Sequence, residues 1–297
     1  MNKALLYYLL ISFGLCWMGG GLIPLFDLGY GSIASTLIVA LVCMPAPALA
    51  GWLVQTRVLK RPFAEIELGW KQADLKHLYF FTPVWLFVFL LANFGWIFLL
   101  GNVLKLEMFG QVDFSADGLL LKLEEMSRGK TDFSEIHLPR PWFMFLIIGL
   151  AGIVGGATVN LPFTLGEEIG WRGFLYKQWE TMPAIKRILL TGTIWGLWHA
   201  PLILQGHNYT DHPYLGIIMM VVFCVALSFP MDWLRKNSRT VLAPGIFHGM
   251  VNASAAGTVL FIQNGDTLFG SIAGLTGALA CMTLFGIQVF MIKIIRR

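Results

Sequence analysis

An uninterrupted apolar run reads TPVWLFVFLLANFGWIFLL from Thr82 to Leu100, 19 residues without one ionisable side chain. A helix needs about 20 such residues to cross the hydrocarbon core of a bilayer. The chain of 297 residues has the same character throughout, since 57% of it is hydrophobic and 13% is charged, against about 25% charged in a soluble domain. A globule of this size cannot bury so much apolar surface. The composition therefore excludes a soluble fold and predicts an all-α, polytopic membrane protein.

Seven further stretches resemble this run, so we predict about eight transmembrane helices in one integral membrane domain that covers residues 1–297. The eight stretches lie approximately at residues 4–25, 32–55, 78–104, 142–165, 188–206, 214–234, 241–262 and 268–292. The first follows Lys3 as the apolar part of a signal peptide would, but it continues past three glycines and no small-residue cleavage pattern follows it. This favours a retained helix.

The distribution of Lys and Arg predicts the orientation, because cytoplasmic loops accumulate these residues. With the N-terminus inside, 16 of the 21 basic residues fall on the cytoplasmic side, Arg296 and Arg297 among them. The other five belong to one long loop at 105–141, which we predict to be extracytoplasmic: Lys105, Lys122, Arg128, Lys130 and Arg140. Both termini are thus predicted to be cytoplasmic, and we expect the membrane to be the plasma membrane. The net charge of +4 is spread in small groups, so no nucleic-acid partner is expected.

The long loop contains an amphipathic segment. Leu119, Leu123 and Met126 fall on one face of a helix that would begin near Asp117. This pattern is typical of a short helix that lies on the membrane surface, here on the outer side.

Ionisable side chains inside apolar runs are informative, because each is costly at depth unless it is paired or hydrated. In the second half of the chain, Glu167 and Glu168 lie at the end of the fourth run. His199 lies inside the fifth run and His248 inside the seventh. Asp232 lies at a cytoplasmic helix end, where solvation is the simple explanation.

The stretch Gly166-Glu-Glu-Ile-Gly-Trp-Arg172 indicates one paired and one unpaired carboxylate. On a helix, Glu168 and Arg172 are four residues apart in the order that favours an ion pair. Glu167 points about 100° away from Glu168, so it is free to face another group. A structural charge cluster at a helix end would give the same pattern.

Two other runs each place a pair of side chains one helical turn apart. Trp195 precedes His199 by four residues, and His248 precedes Asn252 by four. Glycines at the same spacing accompany each group, at positions 166 and 170, 192 and 196, and 245 and 249. Small residues at this spacing let helices approach closely, so we predict one site assembled from three helices. A satisfied packing histidine and an interhelical hydrogen bond are the alternative explanations.

At these residues the sequence resembles the CPBP family of intramembrane proteases, which contains the type II CAAX prenyl endopeptidases and the lysostaphin-resistance and bacteriocin-immunity type proteins. The motifs EExxxR, aromatic-xxx-His and HxxxN are matched in order by Glu167, Glu168 and Arg172, by Trp195 and His199, and by His248 and Asn252. Trp195 stands where the family most often has Phe. The resemblance covers roughly residues 140–262, which we take as the protease core.

The resemblance implies a helical bundle of about eight spans whose polar site opens toward the cytoplasm. It also implies cleavage near the C-terminus of a protein or peptide, lipidated or not, in contact with membrane lipid. A glutamate and a histidine that correspond to Glu167 and His199 would activate water, as such groups commonly do. His248 and Asn252 would stabilise the oxyanion.

By the same resemblance, Glu168 and Arg172 are positioning residues, and Glu168 would have a share in the base role. Two His and a Glu with an open position are also able to hold zinc, which would make Glu167, His199 and His248 the ligands. Neither HExxH nor HxxEH occurs in the chain, so we expect glutamate chemistry without a cofactor.

Two functions of other classes compete with the protease. A non-catalytic immunity or scaffolding protein of the same family would keep these residues for packing. A proton-coupled transporter also uses intramembrane Glu and His, but it would be expected to show two related halves with broken helices. The sequence contains no such repeat, so this third function is disfavoured.

Overall fold

A computed structural model describes residues 3–127, 130, 133 and 139–295. Parts of the predicted outer loop, including Arg128, lie outside the described residues, as do Arg296 and Arg297 of the predicted cytoplasmic C-terminus. Over the described ranges, the regular secondary structure is helical apart from two strands of two residues each. This confirms an all-α membrane protein.

Thirteen α-helices are present in the described ranges, and several run directly into wider π-helical turns. The α-helices are α1 Lys3–Leu25, α2 Ile33–Ile38, α3 Ala46–Leu53, α4 Thr82–Ile97, α5 Ala116–Ser127, α6 Pro141–Ala157, α7 Leu161–Glu168, α8 Tyr176–Gln178, α9 Ala184–Trp198, α10 Ala200–Ile203, α11 Pro213–Ser238, α12 Leu242–Val259 and α13 Leu275–Ile295. The π-helical segments are Val39–Cys43, Val54–Val58, His77–Phe81, Phe98–Val103 and Ile169–Leu175, and short 3-10 turns lie at Phe63–Ile66 and Glu107–Phe109. Strands β1 Gln111–Val112 and β2 Ile262–Gln263 pair antiparallel.

Four continuous helices are long and apolar enough to cross a membrane: Lys3–Leu25, Ile33–Val58, His77–Val103 and Pro213–Ser238. A fifth span is formed if Trp142–Ala157 and Leu161–Gln178, which meet at an angle of 63°, are taken as one. The other three predicted stretches correspond to α9, α12 and α13. Eight spans and the orientation of the termini remain predictions.

The predicted helix at 188–206 is interrupted in the structure, because α9 ends at Trp198 and a separate short helix begins at Ala200. Pro201 is the physical reason: it has no N–H to donate, and its ring clashes with the carbonyl of the residue four positions earlier. The break places His199 at the junction of the two helices, where its backbone serves as the cap of both.

The predicted close approach of helices at small residues is confirmed for α9 and α11. A Cβ atom at Gly192 would lie 2.5 Å from Cα of Val225, and one at Gly196 would lie 2.5 Å from Cα of Val221. Contacts this short leave no room for any side chain larger than hydrogen. The two helices therefore pack backbone against backbone over two turns.

The junction between α6 and α7 is anchored to α12 in the same way. A Cβ atom at Gly249 would lie 2.6 Å from the carbonyl oxygen of Gly156. Asn160 Nδ2 donates to the Gly249 carbonyl at 3.1 Å, and Thr164 Oγ1 donates to the Gly245 carbonyl at 2.9 Å. These bonds hold the start of α7, and hence the two glutamates at its end, against the histidine-bearing helix.

The amphipathic segment of the long loop forms the predicted helix as α5, but the structure packs it on the bundle. Leu119 is buried in a cluster with Phe261 and Ile262, and Leu123 packs against that cluster. Met126 is exposed. The pairing of β1 with β2 fixes this part of the loop beside the connection that follows α12.

We expect Gly192→Ala to destabilise the protein by about 1–3 kcal/mol, because the added methyl group overpacks the contact with Val225. Gly95→Ala is the matched control, since a Cβ atom at Gly95 meets nothing within 4 Å. Thermal unfolding in detergent measures both variants. An unchanged midpoint for Gly192→Ala would contradict the close packing of α9 and α11.

Candidate active site

The two glutamates lie where α7 widens into the π-helical segment Ile169–Leu175. Both side chains are buried, Glu167 with 2% and Glu168 with 0% of its surface exposed. π-helical turns are frequent at functional sites because they change the direction in which side chains point. The two carboxylates have different partners, as the sequence predicted from their positions on adjacent sides of a helix.

Glu168 is the centre of a buried ion-paired network. Arg172 Nη1 lies 3.0 Å from both carboxylate oxygens of Glu168, and Arg172 Nη2 donates to Ser228 Oγ at 2.8 Å. His248 Nδ1 lies 3.0 Å from Glu168 Oε1. A carboxylate beside a guanidinium accepts hydrogen bonds, so the proton of this bond is on His248 Nδ1. The predicted ion pair is present, and Glu168 also holds the His248 ring.

Glu167 and His199 are both held by Trp195. The indole Nε1 of Trp195 donates to Glu167 Oε2 at 2.8 Å, and His199 Nδ1 lies 2.9 Å from the Trp195 carbonyl oxygen. A backbone carbonyl only accepts, so Nδ1 of His199 carries a proton. In the neutral ring, Nε2 then has a free lone pair. The bond to Trp195 therefore selects the tautomer of His199 that is able to act as a base at Nε2.

The Trp195 ring also contacts the ion-paired network. The guanidinium carbon of Arg172 lies 4.5 Å from a ring centroid of Trp195, a cation–π geometry. The His248 ring meets Trp195 edge-on with centroids 5.1 Å apart. One tryptophan thus connects the unpaired glutamate with the paired one, and it connects the two histidines of the predicted site.

The predicted residues surround a cavity of about 280 Å³, here called the site cavity, and they fall into those that line it and those that do not. Glu167, His199, His248 and Asn252 line it, together with apolar side chains of α11. Asn252 is exposed, and its amide has no hydrogen-bond partner among the described residues. Glu168 and Arg172 are not part of the lining. They lie behind His248 and Trp195, which suits the positioning role that the resemblance implied.

The zinc alternative finds no ready ligand set in the described part of the chain. No three His, Cys, Asp or Glu side chains come together there in an arrangement able to hold a metal ion. Glu167, His199 and His248 line one cavity but do not converge on a common point in this way. No step of the proposed chemistry is assigned to a metal ion.

Sequence reasoning missed a third histidine next to the site. The rings of His207 and His199 are parallel within 1°, with centroids 6.0 Å apart. Tyr30 hydroxyl lies 2.7 Å from His207 Nδ1. His207 belongs to none of the motifs. It comes close to His199 because the helix is broken at Pro201 and the chain after α10 turns back beside His199. The Pro in the run was the one available signal.

The expectation that Asp232 is simply solvated is wrong. Its two carboxylate oxygens accept hydrogen bonds from Arg187 at 2.8 and 2.9 Å, and the residue is 9% exposed. Arg187 lies 4.5 Å from the ring centroid of Tyr176. The pair joins α9 to α11 across a distance of 45 residues in sequence, a contact that spacing within one helix cannot reveal.

A second set of paired charges lies at the end of the bundle below Arg172. Arg235 donates from Nε to the Arg172 carbonyl oxygen at 2.9 Å and from Nη2 to Glu67. Lys177 Nζ lies 3.0 Å from Glu67 Oε1. Burial acts to raise the pKa of Glu67, but the hydrogen bonds from Arg235 and Lys177 outweigh it and hold this pKa below its usual value. Glu67 is therefore an anion that anchors the loop before α4.

Fold and site together define a helical membrane protein with a buried site of carboxylate, imidazole and amide groups. Residues 141–254 match the family described as Type II CAAX prenyl endopeptidase Rce1-like. The match runs from α6 into α12 and includes all three motifs, so the resemblance seen in them is confirmed. The matched family is one of CAAX-type intramembrane proteases. A comparison with curated proteins gives no match.

We expect Arg172→Met to cost about 3–5 kcal/mol of stability, because it leaves the Glu168 carboxylate buried without its cation. Glu180→Gln is the control, since Glu180 pairs with Lys177 but its side chain is 57% exposed. Such an exposed pair contributes at most about 1 kcal/mol. Unfolding in detergent measures both, and equal small losses would show that the buried pair does not carry the expected stability.

Proposed function

We propose that the protein is an intramembrane endopeptidase that hydrolyses a peptide bond near the C-terminus of a protein or peptide, with or without an attached lipid. One observation carries the proposal: Glu167 and His199 line the same cavity and are both oriented by Trp195. One oxygen of Glu167 accepts the indole proton, which leaves the other for a water molecule. We further propose the plasma membrane as its location.

The proposed reaction begins with a water molecule between Glu167 and His199. Glu167 takes a proton from the water while His199 Nε2 accepts a hydrogen bond from it, and the resulting hydroxide adds to the carbonyl carbon of the peptide. The tetrahedral intermediate collapses with cleavage of the C–N bond. The proton held by Glu167 passes to the departing amine nitrogen, so the carboxylate is restored.

The negative oxygen of the intermediate requires hydrogen-bond donors on the other wall of the cavity. His248 and Asn252 lie one helical turn apart on α12 and both line the site cavity. The amide of Asn252 donates from Nδ2. His248 donates from Nε2 when both ring nitrogens carry protons, with Nδ1 directed at Glu168. Glu168 and Arg172 thus act through His248 and do not touch the substrate.

Glutamate chemistry is proposed in preference to a zinc reaction because this chain supplies a base and two oxyanion donors without one. No observation on the described residues favours the non-catalytic immunity or scaffolding role. The site cavity would not be needed for packing alone, and a scaffold would have no use for the unpartnered amide of Asn252.

We expect Glu167→Gln and His199→Ala each to lower kcat for peptide cleavage by about 10²–10⁴-fold, the usual contribution of a general base. His77→Ala is the control, since His77 pairs with Asp74 in the 59–81 segment, away from the site. Purified protein, a peptide library with and without lipid, and thermal unfolding of each variant form the assay. Undiminished cleavage by folded Glu167→Gln would contradict the base role of Glu167, and absence of cleavage by the wild-type protein would favour the immunity or scaffolding role.

The oxyanion role of Asn252 has its own test. Asn252→Ala is expected to lower kcat by about 10²–10³-fold with little change in thermal stability, because its amide has no partner in the resting site. Asn237→Ala is the matched control: it loses the hydrogen bond to the Trp233 carbonyl within α11, and Asn237 does not line the site cavity, so kcat per folded molecule is kept. The opposite pattern would make Asn252 a packing residue.

A further inference from the structure

Two more cavities adjoin the site cavity. One of about 350 Å³, here called the antechamber, is lined by residues of the connection between α12 and α13 and by part of α5. Asn208 and Ala255 line both the antechamber and the site cavity. The other, of about 270 Å³, is lined by Tyr30 and its neighbours and shares Val39 and Met44 with the site cavity. The site therefore has neighbouring open space on two sides.

Both neighbouring cavities lie between the site cavity and one end of the bundle. This end, here called the open end, is formed by residues 104–115, 204–212 and 260–274. β1 pairs with β2 there. Tyr209 hydroxyl donates to the Ala273 carbonyl at 2.6 Å, and His212 Nε2 lies 2.7 Å from Asp266 Oδ2. These contacts tie the three connections together around the antechamber.

At the other end, here called the basic end, the polar groups next to the site are buried and paired with one another. Arg172 and Glu168 lie directly behind His248, and Arg235 continues from Arg172 to Glu67. Thr240 Oγ1 donates to the Gly69 carbonyl at 3.2 Å and fixes the loop before α4 over this end. Hydrogen-bonded side chains and backbone carbonyls thus connect the site to the basic end.

The two ends differ in their number of Lys and Arg residues, the property that sets the orientation of a membrane protein. The connections and helix ends of the basic end carry nine of the 18 basic residues of the described chain: Arg57, Lys60, Arg61, Lys71, Lys76, Lys177, Lys186, Lys236 and Arg239. The three connections of the open end contain one basic residue, Lys105 in 104–115, and neither Lys nor Arg in 204–212 and 260–274. Because cytoplasmic loops accumulate Lys and Arg, this difference predicts that the open end faces away from the cytoplasm.

The antechamber lining is suited to a peptide backbone. It includes the amides of Asn208 and Asn264 and the hydroxyls of Thr267 and Ser271. Its one cation, Lys122, is paired with Glu125 at 2.8 Å. The buried Thr267 Oγ1 has no hydrogen-bond partner among the described residues. Neutral donors and acceptors with balanced charge match the amides of an extended peptide better than an acyl chain.

We infer that substrate reaches the site from the extracytoplasmic face, with a polar peptide segment in the antechamber and the bond to be cut beside Glu167. This rests on the proposed function and narrows its substrate to an exported peptide or the extracytoplasmic segment of a membrane protein. It replaces the expectation, taken from the resemblance, that the site opens toward the cytoplasm. A prenylated tail presented in the cytoplasm would meet the paired charges of the basic end.

The test uses single substitutions to cysteine and a membrane-impermeant thiol reagent. Ala255→Cys places a thiol between the antechamber and the site cavity, and Ser271→Cys is a near-isosteric second position within the antechamber. Lys71→Cys reports on the basic end. The four native cysteines are all buried, so the wild-type protein gives the background. Each protein is labelled in intact cells and in inverted vesicles.

We expect Ala255→Cys and Ser271→Cys to react in intact cells and Lys71→Cys to react only in inverted vesicles. Modification of Ala255→Cys should lower peptide cleavage by at least about tenfold relative to the unmodified variant, and modification of Lys71→Cys should leave cleavage unchanged. Reaction of the antechamber thiols only in inverted vesicles, or in neither preparation, would overturn the inference. Absence of cleavage by wild-type protein would sink the proposed function alone, because labelling needs no activity.

Discussion

Ionised groups remain stable inside a membrane protein only when their charges are compensated within reach, and the Glu168–Arg172 pair meets this constraint. Arg172 contacts both oxygens of Glu168, and the pair is further bonded to Ser228, which accepts from Arg172, and to His248, which donates to Glu168. The pair therefore joins α7 and its π-helical continuation to α11 and α12. Trp195 of α9 contacts the same pair through the Arg172 guanidinium, so every helix that lines the site with a predicted residue meets the pair.

The second requirement is close helix packing, because short polar contacts between helices need backbones that nearly touch. Glycines 192, 196 and 249 remove the side chains that would keep α9, α11, α6 and α12 apart. Trp195 then reaches Glu167 with its indole nitrogen and His199 with its carbonyl oxygen. A phenylalanine at this position would keep the ring but not the hydrogen bond, so this chain orients its glutamate by a donor that the more usual residue lacks.

The residues that position the site and the residues proposed to react lie at different depths in the bundle. Paired charges fill the space between the site and the basic end, and residues with free hydrogen-bonding groups line the site cavity. This polarity follows from the cost of burial, since a charge without a partner is tolerated only where water or substrate reaches it. Because paired charges lie on one side of the site and open cavities on the other, substrate has one direction from which to enter.

Much of this protein was readable from the sequence because the signals were local. The apolar runs gave an all-α membrane protein, EExxxR at helical spacing gave the Glu168–Arg172 pair, and glycines four residues apart gave the close helix contacts. The tertiary structure alone decided the tautomer of His199, the nearness of His207, the Asp232–Arg187 pair and the end at which the cavities lie. These depend on contacts between residues far apart in the chain, and spacing along one helix carries no information about which side chains another helix brings to it.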